Sequence, residues 1–213
     1  ATYGIGIVVQ DGADWTSYTT ANTGISLLNN AVSVALTTDG TLWAFGALTP
    51  TAIARLAKFE AGTWTGYTTV SIGITSGGTF GKMQADASGR LLVTTNSTVS
   101  VYQQGVWTHY DEEDDIGCSS SGTITPAVDG AGRVWVENYC QLSRFDGQIW
   151  SKPGTGLPGP PPGSLYDGIA EGADGSMWFG TEFGQYIARL KDNSWEQYYP
   201  TDVGASQNKV YSI

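Results

Sequence analysis

Positive charge is scarce in this chain of 213 residues: 10 Lys and Arg stand against 20 Asp and Glu, for a net charge of −10. No basic cluster occurs anywhere, and affinity for nucleic acid or for anionic lipid depends on such clusters, so neither partner is expected. No run of about 18 apolar residues is present, which excludes a membrane-spanning helix within this segment. Histidine occurs once, as His109, and cysteine twice, as Cys118 and Cys140. Two thiols and one distant imidazole make no metal site. A hydrolytic triad needs a histidine beside a nucleophile and an acid, and no Gly-x-Ser-x-Gly elbow accompanies His109. No cofactor is implied and no catalytic residue is assigned. The first residues, Ala-Thr-Tyr-Gly, carry neither an initiator Met nor a signal pattern and read as a mature or cut end.

What the chain does hold is glycine, 29 residues, with 8 tryptophans and 11 tyrosines. Many short aromatic strands joined by tight turns use such residues, whereas helices draw on Ala, Leu, Glu and Lys. Charged residues make up only 14% of the chain, leaving a surface of Ser, Thr, Asn, Gln and Gly that fits an extracellular or periplasmic setting.

Three series recur in one phase. Trp15, Trp64, Trp107, Trp150 and Trp195 are spaced by 49, 43, 43 and 45 residues. Ahead of the last four stand Asp39-Gly40-Thr41-Leu42-Trp43, Ser88-Gly89-Arg90-Leu91-Leu92, Gly130 to Trp135, and Asp174-Gly175-Ser176-Met177-Trp178. Between the two series lie Ile53 to Leu56, Val99 to Tyr102, Leu142 to Phe145 and Ile187 to Leu190. Each period divides into four strands, here called a to d from the first to the last. In the third unit these are Ile124–Asp129, Arg133–Asn138, Gln141–Phe145 and Gln148–Lys152, with a hairpin turn at Asp146-Gly147. In the fourth they are Asp167–Ala173, Ser176–Thr181, Tyr186–Lys191 and Ser194–Tyr199. Four short antiparallel strands per period of about 45 residues are the mark of a propeller blade.

The expected fold is therefore all-β: one β-propeller domain over 1–213, with full blades at about 31–69, 79–110, 122–152 and 166–199. Partial blades at 1–20 (Ile5–Gln10 as strand c, Trp15–Thr19 as strand d) and 208–213 flank them. The chain reads either as a five-bladed ring joining its two ends or as a window of a larger propeller. Trp43, Trp135 and Trp178 are expected as packing between blades.

The runs Leu142 to Trp150, Asp174 to Thr181 and Asn208 to Ile213 resemble the two-component regulator propeller repeat. The second unit departs from it, with Leu92 in place of tryptophan. The resemblance implies a propeller in the periplasm or outside the cell, often the ligand-sensing part of a bacterial membrane receptor. Related propellers of the streptogramin-lyase type are enzymes, but no catalytic motif comes with the repeat.

Loops on a rigid frame carry variable chemistry, and in a propeller the d-to-a and b-to-c connections share one face. Tyr139, Glu182 and Phe183, with Asp114 and Asp115 of the acidic run Asp111–Asp115, are the candidate ligand-binding residues there. The alternative is that they are solvated loop tips. Cys118 and Cys140 are expected as a disulfide closing a loop of about 20 residues, worth roughly 3 kcal/mol, the alternative being two free thiols. Asn96-Ser97-Thr98 fits a glycosylation sequon, and Pro158 to Pro162 reads as a stiff spacer.

The leading functional reading is a non-catalytic extracytoplasmic binding or sensor module, whose partner is a small molecule, glycan or protein. The second is a structural or interaction subunit of a surface or filament assembly, self-associating through open blade edges. A propeller lyase is third.

Overall fold

A computed structural model describes residues 6–46, 55–68, 70–73, 80–95, 98–111, 125–138, 141–152, 168–180 and 186–199. Four four-stranded antiparallel sheets and one two-stranded sheet account for the regular structure among them. The first sheet pairs β1 (Ile7–Asp11) with β2 (Asp14–Tyr18). The next runs β3 (Ala31–Leu36), β4 (Leu42–Gly46), β5 (Leu56–Glu60), β6 (Thr63–Tyr67). Then come β7 (Phe80–Ala85), β8 (Leu91–Thr95), β9 (Thr98–Gln103) and β10 (Val106–Asp111). The third four-stranded sheet holds β11 (Thr125–Val128), β12 (Val134–Asn138), β13 (Gln141–Phe145) and β14 (Trp150–Ser151). The fourth holds β15 (Gly168–Glu171), β16 (Met177–Gly180), β17 (Ile187–Lys191) and β18 (Ser194–Tyr198). In every sheet, strands adjacent in sequence are adjacent in space, as a blade requires.

The turns explain why the chain folds back where it does. Each a-to-b turn places a glycine at positive φ, between 75° and 82°, at Gly40, Gly89, Gly132 and Gly175. A side chain disfavours that conformation. An alanine at Gly40 would meet no atom within 4 Å, so only its φ of +82° opposes it. Gly40→Ala is expected to cost about 1 kcal/mol in a urea unfolding curve; no loss would mean the turn relaxes. The structure corrects one expected strand, d of the third unit, which shrinks to Trp150–Ser151. Asp146 Oδ1 accepts hydrogen bonds from the Gln148 and Ile149 amides, at 2.9 and 3.0 Å, and this local turn withholds both residues from the ladder.

The chain divides into two compact units, Ala1–Thr95 with Ser100–His109, and Asn96–Val99 with Tyr110–Ile213. Paired residues share a sheet face, and in unit 1 each face has its own neighbour. Trp43, Phe45 and Leu56 pack against Met83, Leu91 and Val93 of the following sheet, with Tyr102 and Trp107 beside them. The opposite face of the β3–β6 sheet, through Ala44, Ala57 and Trp64, meets Ile7, Val9 and Tyr18 of the first sheet. Ser33 Oγ ties the two inner strands, accepting from the Met83 amide at 3.2 Å. In unit 2, Trp135 and Leu142 of one sheet pack with Phe179, Leu190 and Trp195 of the next.

Trp43 and Trp135 are thus buried between sheets, at 2% and 1% exposure. Trp178 departs from that expectation: it is half-buried, with Tyr198 and the Arg189 guanidinium on its ring. Among the described residues no further sheet follows β15–β18 in the chain to cover it. Residues 19–30, between the first two sheets, fold into a turn of helix at Thr20–Thr23 and a 3₁₀ segment at Ser26–Asn30, burying Leu27 and Leu28. No helix among the described residues is long and apolar enough to cross a membrane.

Candidate functional site

Tyr139, Glu182, Phe183, Asp114 and Asp115 lie outside the described residues, as do Cys118 and Cys140. His109 is described. Its Nδ1 lies 2.9 Å from Ser100 Oγ, and its ring stacks parallel to Trp107 with centroids 6.3 Å apart. Ser100 is fully buried and His109 half-buried. Among the described residues no group of three His, Cys, Asp or Glu is placed to hold a metal.

A cleft of about 350 Å³ opens in unit 1 where the turns of the β3–β6 and β7–β10 sheets meet. Its lining includes Asp39, Trp43, Lys58, Glu60, Ser88 and Tyr102. Each is placed by the repeat. Asp39 sits in the a-to-b turn, Trp43 on strand b, and Lys58 opposite it on strand c, with Nζ 5.8 Å from the indole centroid. Tyr102 comes from the following sheet and meets Trp43 edge-on at 5.0 Å. Unlike the loops favoured from the sequence, this cleft belongs to the end of the sheets bearing the a-to-b and c-to-d turns.

The charges of the cleft are fixed rather than mobile. Asp39 Oδ1 accepts from Thr37 Oγ1 at 2.7 Å and from the Thr41 amide at 3.0 Å, and these bonds hold its carboxyl below the usual range. Lys58 Nζ pairs with Glu60 Oε2 at 2.8 Å, which raises its pKa above the ordinary lysine value. Asp39 and Lys58 therefore stay charged at pH 7, and neither is tuned to pass a proton there. The arrangement suits recognition of a polar ligand.

The turns also show a device that the sequence reading passed over. In the second and third four-stranded sheets the carboxylate stands at the start of the turn with an arginine four residues on. Arg90 Nε donates to Asp86 Oδ2 at 2.6 Å and Arg133 Nε to Asp129 Oδ2 at 2.7 Å. Trp135 Nε1 adds a bond to the same Asp129 oxygen at 2.7 Å. The signal was available: Asp-x-x-x-Arg occurs at both turns, and Asp-Gly-[Thr or Ser] replaces it at Asp39 and Asp174.

Repeated four-stranded antiparallel sheets, stacked face to face in each unit around aromatic cores, define a β-propeller. No family model and no curated sequence matches the chain. Solved structures do. PorZ, a surface component of the type-IX secretion system of Porphyromonas gingivalis, matches at TM-score 0.73 and 16% identity over 100% of this chain and 34% of its own. The extracellular domain of a hybrid two-component system of B. thetaiotaomicron matches at 0.66 and 14%, over 98% of this chain and 27% of its own. Virginiamycin B lyase of Staphylococcus aureus matches at 0.61 and 13%, over 80% and 55%. The chain thus spans about half the length of the lyase and about a third or less of the other two. At such identities these likenesses establish the propeller fold alone.

Proposed function

We propose that this chain is a non-catalytic binding or sensor module acting outside the cytoplasm, its blades serving as a rigid frame for a recognition surface. The observation that carries this reading is the cleft between the β3–β6 and β7–β10 sheets, where Asp39 and Lys58 are locked in their charged states beside Trp43 and Tyr102. Preorganised charge and aromatic surface give affinity without chemistry. The likeness to the extracellular domain of a two-component system supports the setting. Tyr139, Glu182, Phe183, Asp114 and Asp115 remain proposed as a recognition surface formed by the other set of loops.

The lyase reading has less support. A catalytically inactive form of virginiamycin B lyase is a histidine-to-alanine variant, solved with quinupristin. Here the sole histidine spends Nδ1 on a buried serine and its face on Trp107.

A thermal-shift screen of oligosaccharides, peptides and small metabolites tests the proposal. A ligand at about 100 times its Kd adds about 2.7 kcal/mol, a readable shift. Gln103→Trp, at an exposed position on the cleft wall, is expected to abolish the shift without lowering the ligand-free melting point. A ligand recovered as a chemically altered product would overturn the non-catalytic reading.

A further inference from the structure

Each four-stranded sheet carries a carboxylate in its a-to-b turn, and three of the four hold a cation. Asp86 accepts from Arg90 Nε at 2.6 Å and Asp129 from Arg133 Nε at 2.7 Å. Asp174 Oδ2 accepts from Arg189 Nη2 at 2.6 Å and from Lys191 Nζ at 2.8 Å. Asp39 sits in the same local turn as Asp174. Its Oδ1 accepts from Thr37 Oγ1 and the Thr41 amide, as Asp174 Oδ1 accepts from the Ser176 hydroxyl and amide. Yet no Lys or Arg among the described residues pairs with Asp39. The register gives the reason. Trp43 stands opposite Lys58 and Trp178 opposite Arg189, so Lys58 holds the place of Arg189 and Glu60 that of Lys191. Glu60 thus takes the position of the second cation, and its Oε2 draws Lys58 Nζ to 2.8 Å.

The carboxylate left without a cation is the one that opens on the cleft. Asp39 is exposed there, and the following sheet adds Ser88, Tyr102 and Gln103 to the lining. Lys58 and Glu60 offset each other, so Asp39 leaves these charges net negative. A chain of net charge −10 draws cations to such a surface and repels anions. An ammonium has three donors and no acceptor, and the hydroxyl and amide oxygens around Asp39 can accept what the carboxylate does not. The volume of about 350 Å³ lies at the small end of ligand pockets and suits one small molecule or a single side chain.

We propose that the Asp39 cleft selects primary ammonium groups, carried by an amino sugar or a lysine side chain, and binds them at Asp39 Oδ2 as Lys191 binds Asp174. This names the ligand class of the recognition site and rests on that reading of the cleft. The fourth sheet supplies its cation from its own strand; the first four-stranded sheet takes one from outside. A charge-assisted hydrogen bond is roughly twice as strong as a neutral one, so charge decides between ligands of similar shape. The pair is exposed, and salt therefore weakens it.

Calorimetric titration of the full chain at low salt tests this with two probes, glucosamine and lysine blocked at its α-amine and carboxyl. At least one is expected to bind about tenfold more tightly than its neutral counterpart, N-acetylglucosamine or the Nε-acetylated lysine. Whichever amine binds more tightly identifies the source. Asp39→Asn keeps the oxygen that accepts from Thr37 and Thr41 but removes the charge, and is expected to weaken amine binding at least about tenfold. Glu60→Lys, at an exposed strand position, restores the residue type found at Lys191 and is expected to compete with the amine in the same way. Saturable binding by neither amine, equal binding of amines and neutral counterparts, or unchanged affinity in both variants would each overturn the proposal. A neutral ligand blocked by Gln103→Trp, with neither amine binding, would overturn it and leave the recognition site standing. Failure of every compound in the thermal-shift screen would remove both.

Discussion

Trp43→Ala is expected to cost about 4 kcal/mol in a urea or guanidinium unfolding curve, the range in which large aromatic truncations in cores fall. The side chain is 2% exposed and meets Tyr67, Tyr102 and Trp107 with ring centroids 6.1, 5.0 and 6.3 Å away. It also packs on Met83, Leu91 and Val93. Most of those neighbours belong to the next sheet. The alanine would thus open a cavity between blades, where neither sheet can close it without shifting its own ladder. Total domain stability is only about 5–15 kcal/mol, so this one residue holds a large share of it. Trp178→Ala, made at the equivalent strand position but on a half-buried ring, is expected to cost well under half as much. Equal losses at the two sites would show that burial between sheets is not what makes the repeat tryptophan stabilising.

That contrast marks how far the sequence could be read. The period of about 45 residues, the four strands per unit and the packing role of Trp43 and Trp135 follow from spacing alone, because each strand is short and each turn glycine is needed at positive φ. Strand ends were close: expected β13 is Gln141–Phe145, as found. Two kinds of feature escaped. Leu27 and Leu28 lie in what spacing marks as a connector, yet they are core residues, brought in by the helical turn that Thr19 and Asn22 cap. The pattern Thr-x-x-Asn was present but has no periodic partner elsewhere in the chain. The cleft at Asp39 was illegible for a different reason. It is built from one blade's turn and the next blade's Tyr102, a juxtaposition that depends on how two sheets stack, whereas the repeat reports each sheet singly.

The Asp129 carboxylate is where charge and fold are most tightly coupled. Its side chain is fully buried, and it accepts from Arg133 Nε, Trp135 Nε1 and the Ala131 and Arg133 amides. Burial alone would raise its pKa. The bonds from Trp135 and Arg133 outweigh that and hold it below 3.8, the ordinary value. A carboxyl depressed in the folded state contributes stability above its unfolded pKa and loses it as pH falls through the folded one. Asp129→Ala strips the partners from Arg133, which is partly exposed, and from the buried Trp135 indole, for an expected loss of about 3 kcal/mol at pH 7. The difference from the natural protein should be flat between about pH 8 and pH 5 and shrink once pH falls below about 4, as the natural side chain protonates. Asp86 carries the same arginine geometry; burial again opposes, and the Ser88 hydroxyl with the Arg90 amide and guanidinium holds it below the ordinary value, so its contribution is likewise lost in acid. A double variant at Asp86 and Asp129 should then show the weakest acid dependence of the set. If instead the Asp129 variant stayed as far below the natural protein at pH 3 as at pH 7, the contribution would lie in packing and not in the ionised pair.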